Sequence, residues 1–134
     1  MVFAGPSDIK VIPVMSNFDI KSIDDDMTII SKENKILTLI NVFTVDPANQ
    51  QELVELLISA TEISVRKMPG FISSSLHRSI DGTKVTMYAQ WRSLEDYQKM
   101  RNNTDAVPYL EKALTIAKFD PGMYEVVEIF LPET

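Results

Sequence analysis

The sequence predicts an α+β fold: an antiparallel sheet with helices on one face, its elements in the order β-α-β-β-α-β. Three observations carry this. Two β-rich runs, Phe71–Ser79 and Lys84–Trp91, flank Asp81-Gly82, which reads as a two-residue hairpin turn. Leu53, Val54, Leu57, Ile58, Thr61, Val65 and Met68 recur at helical spacing behind a third β-rich run. The strand ending at Trp91 passes straight into Ser93, a helix N-cap, with Asp96 three residues on to complete a capping box.

The first strand is Ile36–Val45, apolar on both faces and therefore buried. Asp46-Pro47 starts a helix, Asp46 capping and Pro47 in the first position, and the apolar spacing carries it to about Lys67. Pro69-Gly70 stops it, and the hairpin follows. A short helix over Ser93–Asn102 is broken by Asn103-Thr104-Asp105. Asp105 then caps a helix over Ala106–Ala117, where Pro108 sits harmlessly in the first turn. Asp120-Pro121-Gly122 turns the chain into a last strand, Met123–Leu131. This order is the ferredoxin-like split βαβ arrangement. Its helix-free face carries Ile36, Ile40 and Val42, so a second subunit packed sheet on sheet is the economical cover. Residues 36–134 make one domain. Residues 1–35, with the acidic run Asp24-Asp25-Asp26 and the apolar patches Ile9–Met15 and Met27–Ile30, read as a partly extended extension laid over the domain or its partner.

Composition narrows the function. A net charge of −6 with no Lys/Arg cluster argues against nucleic acid and anionic membranes, leaving a small molecule or another protein as partner. No apolar run approaches the ~20 residues of a membrane span. No basic segment leads into an apolar one, so no signal peptide is expected. With no cysteine there is no disulfide or thiolate nucleophile, and a cytoplasmic location is the simplest expectation. One histidine and no clustered carboxylates at ligand spacing give no metal site.

The segment Val85–Ser93 holds the only tryptophan and places Val85, Met87, Ala89 and Trp91 on one face. A two-residue turn pairs Leu76 with Met87 and Ile72 with Trp91, so Leu76 and Ile72 join the same face as substrate-binding candidates. His77 then points to the opposite, partner-facing side. Asn41 shares a face with Leu37, Leu39 and Phe43, where a buried amide needs partners or costs ~1–3 kcal/mol. Ser73-Ser74-Ser75 beside His77 lacks a third orienting group. These small residues instead leave room, for a pocket on the Ser74 side or for close sheet packing on the other.

The stretches Leu39–Val45, Pro69-Gly70-Phe71-Ile72, Leu76-His77-Arg78-Ser79, Asp81-Gly82-Thr83 and Tyr88-Ala89-Gln90-Trp91 resemble, in order, the antibiotic biosynthesis monooxygenase family, over roughly residues 36–131. The resemblance implies a homodimer of dimeric α+β barrel type with a pocket in each subunit. It also implies cofactor-independent monooxygenation, with O2, of a reduced phenolic or anthrone-like aromatic small molecule, using no metal, flavin or haem. Carried over residue by residue, it makes Asn41, Trp91 and Tyr97 the catalytic candidates: Trp91 the aromatic wall, Asn41 a donor to the substrate oxyanion, Tyr97 an aid to proton transfer. Where the family often has asparagine four residues before the tryptophan, this chain has Met87, a thioether in place of an amide donor. A non-catalytic small-molecule-binding or scaffolding dimer, and an isomerase on the same fold, are the alternatives.

Overall fold

The computed structural model describes residues 27–33 and 35–133. The readings of Ile9–Met15 and of the three aspartates lie outside the described residues. Strand β1 runs Leu37–Val45. Asp46 caps a 3-10 turn, Pro47–Asn49, its carboxylate accepting from the Ala48 N–H, and the turn leads into helix α1, Gln50–Ile63. Strands β2, Phe71–Arg78, and β3, Lys84–Trp91, form the hairpin. Helix α2 spans Leu94–Arg101 with Ser93 as N-cap, and helix α3 spans Val107–Ile116. Strand β4, Ala117–Asp120, and the two-residue β5, Met123–Tyr124, complete the sheet.

The sheet order is β2-β3-β1-β4, with β5 also on β1, and every pairing is antiparallel. β1 and β2 are therefore parallel, split by β3 and joined over α1, as a ferredoxin-like fold requires. Odd-numbered residues of β1 and β3 face the helices. Phe43, Val45 and Val85 pack against Leu53 and Leu57 of α1 and Ala113 of α3, while Leu39, Ala89 and Trp91 pack against Tyr97 of α2.

Four details depart from the sequence reading. First, α1 ends at Ile63, not near Lys67. Ser64 leaves helical geometry, is buried, and donates its hydroxyl to Asn103 Oδ1 at 2.8 Å, and a separate 3-10 turn, Val65–Lys67, follows. Second, five residues separate β2 from β3, and the Ser79 N–H still bonds the Lys84 carbonyl (2.9 Å), which leaves a four-residue turn, Ile80–Thr83, where Gly82 alone takes positive φ (85°) and Asp81 Oδ1 accepts from the Ser79 and Thr83 hydroxyls and the Thr83 N–H. Four is even like two, so the expected pairing of Leu76 with Met87 survives. Third, Asp105 does not cap α3. Ala106 holds that position, and the Asp105 N–H is taken by Asn103 Oδ1.

Fourth, the last strand is short. Pro121 lacks an N–H and interrupts the ladder between β4 and β5. Tyr124 pairs with Thr38, so beyond it β1 offers only Leu37, opposite residue 125, and residues 125–133 form no strand. On the sheet face opposite α1, α2 and α3, the described segment before β1 crosses β2 and β3. Thr28 Oγ1 bonds Ser73 Oγ (3.3 Å), Ser73 donates to Gln90 Oε1 (2.8 Å), and Gln90 Nε2 donates to the Ile29 carbonyl (2.8 Å). Among the described residues no helix is long and apolar enough to cross a membrane.

Candidate active site

A cavity of about 350 Å³ lies between the helical face of the sheet and the three helices. Its floor is Leu39, Asn41 and Phe43 of β1 and Met87, Ala89 and Trp91 of β3. Small residues make the room: Ala89 on the floor, Ala60 on α1 and Ala106 before α3. Tyr97, Met100 and Arg101 line it from α2, and Leu110 and Leu114 close it from α3.

One aromatic corner orders the site. Trp91, 1% exposed, meets Phe71 edge-on (centroids 5.4 Å, 80°) and Tyr97 at 5.9 Å and 61°. Phe71 owes this place to a bulge. The register runs Ser73 with Gln90 and then Phe71 with Trp91, leaving Ile72 unpaired. This corrects the expected pairing of Ile72 with Trp91: the extra residue turns Ile72 outward, about half exposed and outside the cavity lining. Leu76, also expected to bind substrate, does stand opposite Met87. It nevertheless packs into the filled core around Leu53 and Val85 and does not line the cavity. Ser74 lines it instead.

Asn41 and Met87 are direct cross-strand partners, so amide and thioether lie side by side on the floor. Asn41 Oδ1 accepts from the Gly122 N–H at 3.4 Å, a contact created by the break after Pro121. That bond turns Nδ2 into the group left for a ligand, and it has no partner among the described residues. The Tyr97 hydroxyl makes no hydrogen bond within the described residues either, although the residue is only 6% exposed.

The start of α2 is pinned. Arg92 grips Asp96 with Nε on Oδ2 (2.8 Å) and Nη2 on Oδ1 (3.0 Å), and the Ser93 hydroxyl also donates to Oδ2 (2.9 Å). These bonds, Arg92 first, hold the Asp96 carboxyl below the usual carboxylate range. Asp96 packs on Gly70 so closely that a Cβ there would meet its carboxyl group, and Gly70 has φ 87°, so both space and backbone require glycine. The capping box is thus only half as expected. Ser93 Oγ does accept from the Asp96 N–H, but the Asp96 carboxylate turns to Arg92 and the Ser93 hydroxyl.

His77 lies away from the cavity, exposed, with Nε2 2.9 Å from Ser75 Oγ on the opposite sheet face. Among the described residues no three His, Cys, Asp or Glu side chains come together to hold a metal ion. Sequence reasoning missed Phe71, which needs the bulge, and Arg101, whose position one turn after Tyr97 was legible.

Fold and cavity together define a class: a ferredoxin-like α+β protein with a mostly apolar, tryptophan-walled site under its helices. Residues 36–111 match the family model described as antibiotic biosynthesis monooxygenase. The chain is 38% identical over 104 residues to tetracenomycin F1 monooxygenase of Streptomyces glaucescens, covering 78% of this chain and 93% of that protein. It is 30% identical to the monooxygenase from the gene ActVA-Orf6 of Streptomyces coelicolor, solved in complex with nanaomycin D, with a TM-score of 0.62 over 72% of this chain and 92% of that one. SnoaB of Streptomyces nogalater, a cofactor-independent oxygenase, shares the fold at 20% identity and a TM-score of 0.58, over 73% and 98% of the two chains. The chain belongs to the antibiotic biosynthesis monooxygenase family, which places it among monooxygenases of small-molecule biosynthesis.

Proposed function

We propose that the protein oxidises a reduced phenolic or anthrone-like ring system with O2, without metal, flavin or haem. The supporting observation is that Asn41, Met87, Trp91 and Tyr97 line one cavity. The names of the relatives, one acting on tetracenomycin F1 and one solved with nanaomycin D, accord with such a ligand. Loss of a proton from the ring CH2 gives a delocalised carbanion that passes an electron to O2. Recombination forms a hydroperoxide, and loss of water leaves a carbonyl, so one CH2 and one O2 become one C=O and one H2O. In this reading Trp91 and Phe71 hold the ring system dry, Asn41 Nδ2 donates to the ring oxyanion, and Tyr97 carries the proton.

The test is oxygen uptake by metal-stripped protein with dithranol. Uptake well above the spontaneous rate is expected. Loss of one oxyanion donor in Asn41→Ala should lower the rate ~100-fold. Uptake no faster than spontaneous, or equal in Asn41→Ala and Trp91→Phe, would remove the reading. Met87 favours a second reading, a binding or scaffolding dimer without turnover, because a thioether stands where a second donor could reach the substrate oxygen. Binding of an anthrone without turnover, and no gain on Met87→Asn, would select it.

The same proposal reads the protein as a cytoplasmic homodimer whose helix-free faces meet, with the extension strengthening the contact. Val127, Phe130 and Leu131 are more than four-fifths exposed and Met27, Ile29 and Ile30 about half exposed, more apolar surface than one subunit covers by itself. Deleting residues 1–30 should raise the dimer dissociation constant in sedimentation. An unchanged constant with an unchanged melting temperature would end the role given to the extension.

A further inference from the structure

Two of the cations on and just before α2 are paired. Arg92 holds Asp96 at 2.8 Å and Lys99 holds Glu95 at 3.3 Å, each an i,i+4 pair. Arg101 has no carboxylate partner among the described residues. The position four residues before it, which for Lys99 holds a carboxylate, is Tyr97. That spacing stacks Tyr97 and Arg101 on one stripe of the helix beside Met100, and all three line the cavity. In a chain with 19 acidic residues, the lining contains no Asp or Glu, and Arg101 is its one charged side chain among the described residues.

Two other polar residues of the lining, Asn103 and Thr61, are already engaged, whereas Asn41 Nδ2 and the Tyr97 hydroxyl are neutral donors. Asn103 Oδ1 accepts from Ser64 Oγ (2.8 Å) and the Asp105 N–H (2.9 Å), and Thr61 Oγ1 donates to the Leu57 carbonyl (2.8 Å). An unpaired guanidinium at the rim of an apolar cavity offers two parallel N–H donors, and these match a carboxylate.

We propose that Arg101 is a specificity residue of this site. It binds a carboxylate carried on the ligand's ring system, at the end of the cavity where α2 stops, while the rings lie against Trp91 and Phe71. This rests on the aromatic-ligand reading above and goes beyond it by naming the anionic substituent. A cation at a helix C-terminus also complements the helix dipole, but that role alone gives no preference among ligands.

The test uses the full chain and reads quenching of its single tryptophan, Trp91, which needs no turnover. The probes are rhein, an anthraquinone carboxylate, and aloe-emodin, which carries a hydroxymethyl group at the same position. Wild type should bind rhein about tenfold more tightly than aloe-emodin. Arg101→Gln should erase that preference while leaving aloe-emodin affinity unchanged, Arg101→Lys should keep part of it, and Arg101→Glu should reverse it. The preference should shrink as salt rises. Equal weakening of both ligands in Arg101→Gln, or no change in either, overturns the assignment while leaving the aromatic cavity standing. If neither anthraquinone quenches Trp91 in wild type, the cavity reading falls and the carboxylate site with it.

Discussion

At one end of the sandwich Phe43, Val45 and Val85 of the sheet meet Leu53 and Leu57 of α1 and Ala113 of α3, and none of these is more than 6% exposed. At the other end the same strands present Leu39, Ala89 and Trp91 to Tyr97, and the space left is about 350 Å³. Backbone geometry and periodicity are alike at both ends; side-chain volume separates them. Branched aliphatic residues dominate the first, with Phe43 and Leu57 reaching the edge of the cavity, while Ala60, Ala89 and Ala106 leave the space beside the indole open at the second. The filled end holds the fold together and leaves the hollow end free to stay open.

That division predicts unequal costs. Leu53 is fully buried in the filled end, so Leu53→Ala should remove about 3 kcal/mol of stability through lost burial and a new cavity. Urea unfolding checks it. A loss below about 1 kcal/mol would mean that this end is not the main support of the fold.

The filled end was also the easier to read in the sequence. Leu53 and Leu57 announce it by helical spacing, and Val85 by its place in an alternating strand. Of the hollow end, strand parity placed Asn41, Met87 and Trp91 on the cavity face, the family resemblance also pointed to Asn41 and Trp91, and Tyr97 came from the resemblance alone. Phe71 and Ile72 were not legible. A bulge depends on how two strands meet, and Phe71-Ile72-Ser73 contains no glycine or proline to mark one. Asn41 was legible as a polar group on an apolar face. Its oxygen partner, the Gly122 N–H, arises only where Pro121 interrupts the ladder between β4 and β5 along β1. The shortness of the last strand was hidden for a similar reason: Val127, Ile129 and Leu131 alternate as a strand should, but β1 is too short to pair with them.

The hollow end should tolerate filling far better than the filled end tolerates emptying. Ala89 lies on the cavity floor between Met87 and Trp91. Ala89→Leu should change stability by less than ~1.5 kcal/mol, because the added carbons enter existing space. The same change should abolish quenching of Trp91 by anthraquinones and oxygen uptake with dithranol. Retained binding in Ala89→Leu would show that the ligand sits elsewhere, and a large loss of stability would show that the floor is already close-packed.

The smallest effect compares two aspartates, one toward each end. Asp81 sits in the hairpin connection, where the Thr83 N–H, the Thr83 hydroxyl and the Ser79 hydroxyl lower its pKa from 3.8 to about 2. Asp96 at the start of α2 is lowered chiefly by hydrogen bonds from Arg92, then from Ser93. Both are depressed in the folded state, so each contributes stability that is fully present above the unfolded value of 3.8 and is lost as pH falls through the folded value. For Asp81 that window runs from about 3.8 down to about 2. The urea midpoint should therefore decline on acidification across it, and either Asp→Asn substitution should make the decline shallower. Asp81 is exposed, so its change in slope should be slight; Asp96 is buried, so its change should be the larger of the two. The difference lies in the ligand. Asp96 fixes the helix that carries Tyr97 and Arg101, so Asp96→Asn should also weaken anthraquinone binding at neutral pH, whereas Asp81→Asn should leave it intact. Equal binding in the two variants would mean that α2 keeps its position without the Arg92 grip, held by the packing of Tyr97 against Trp91.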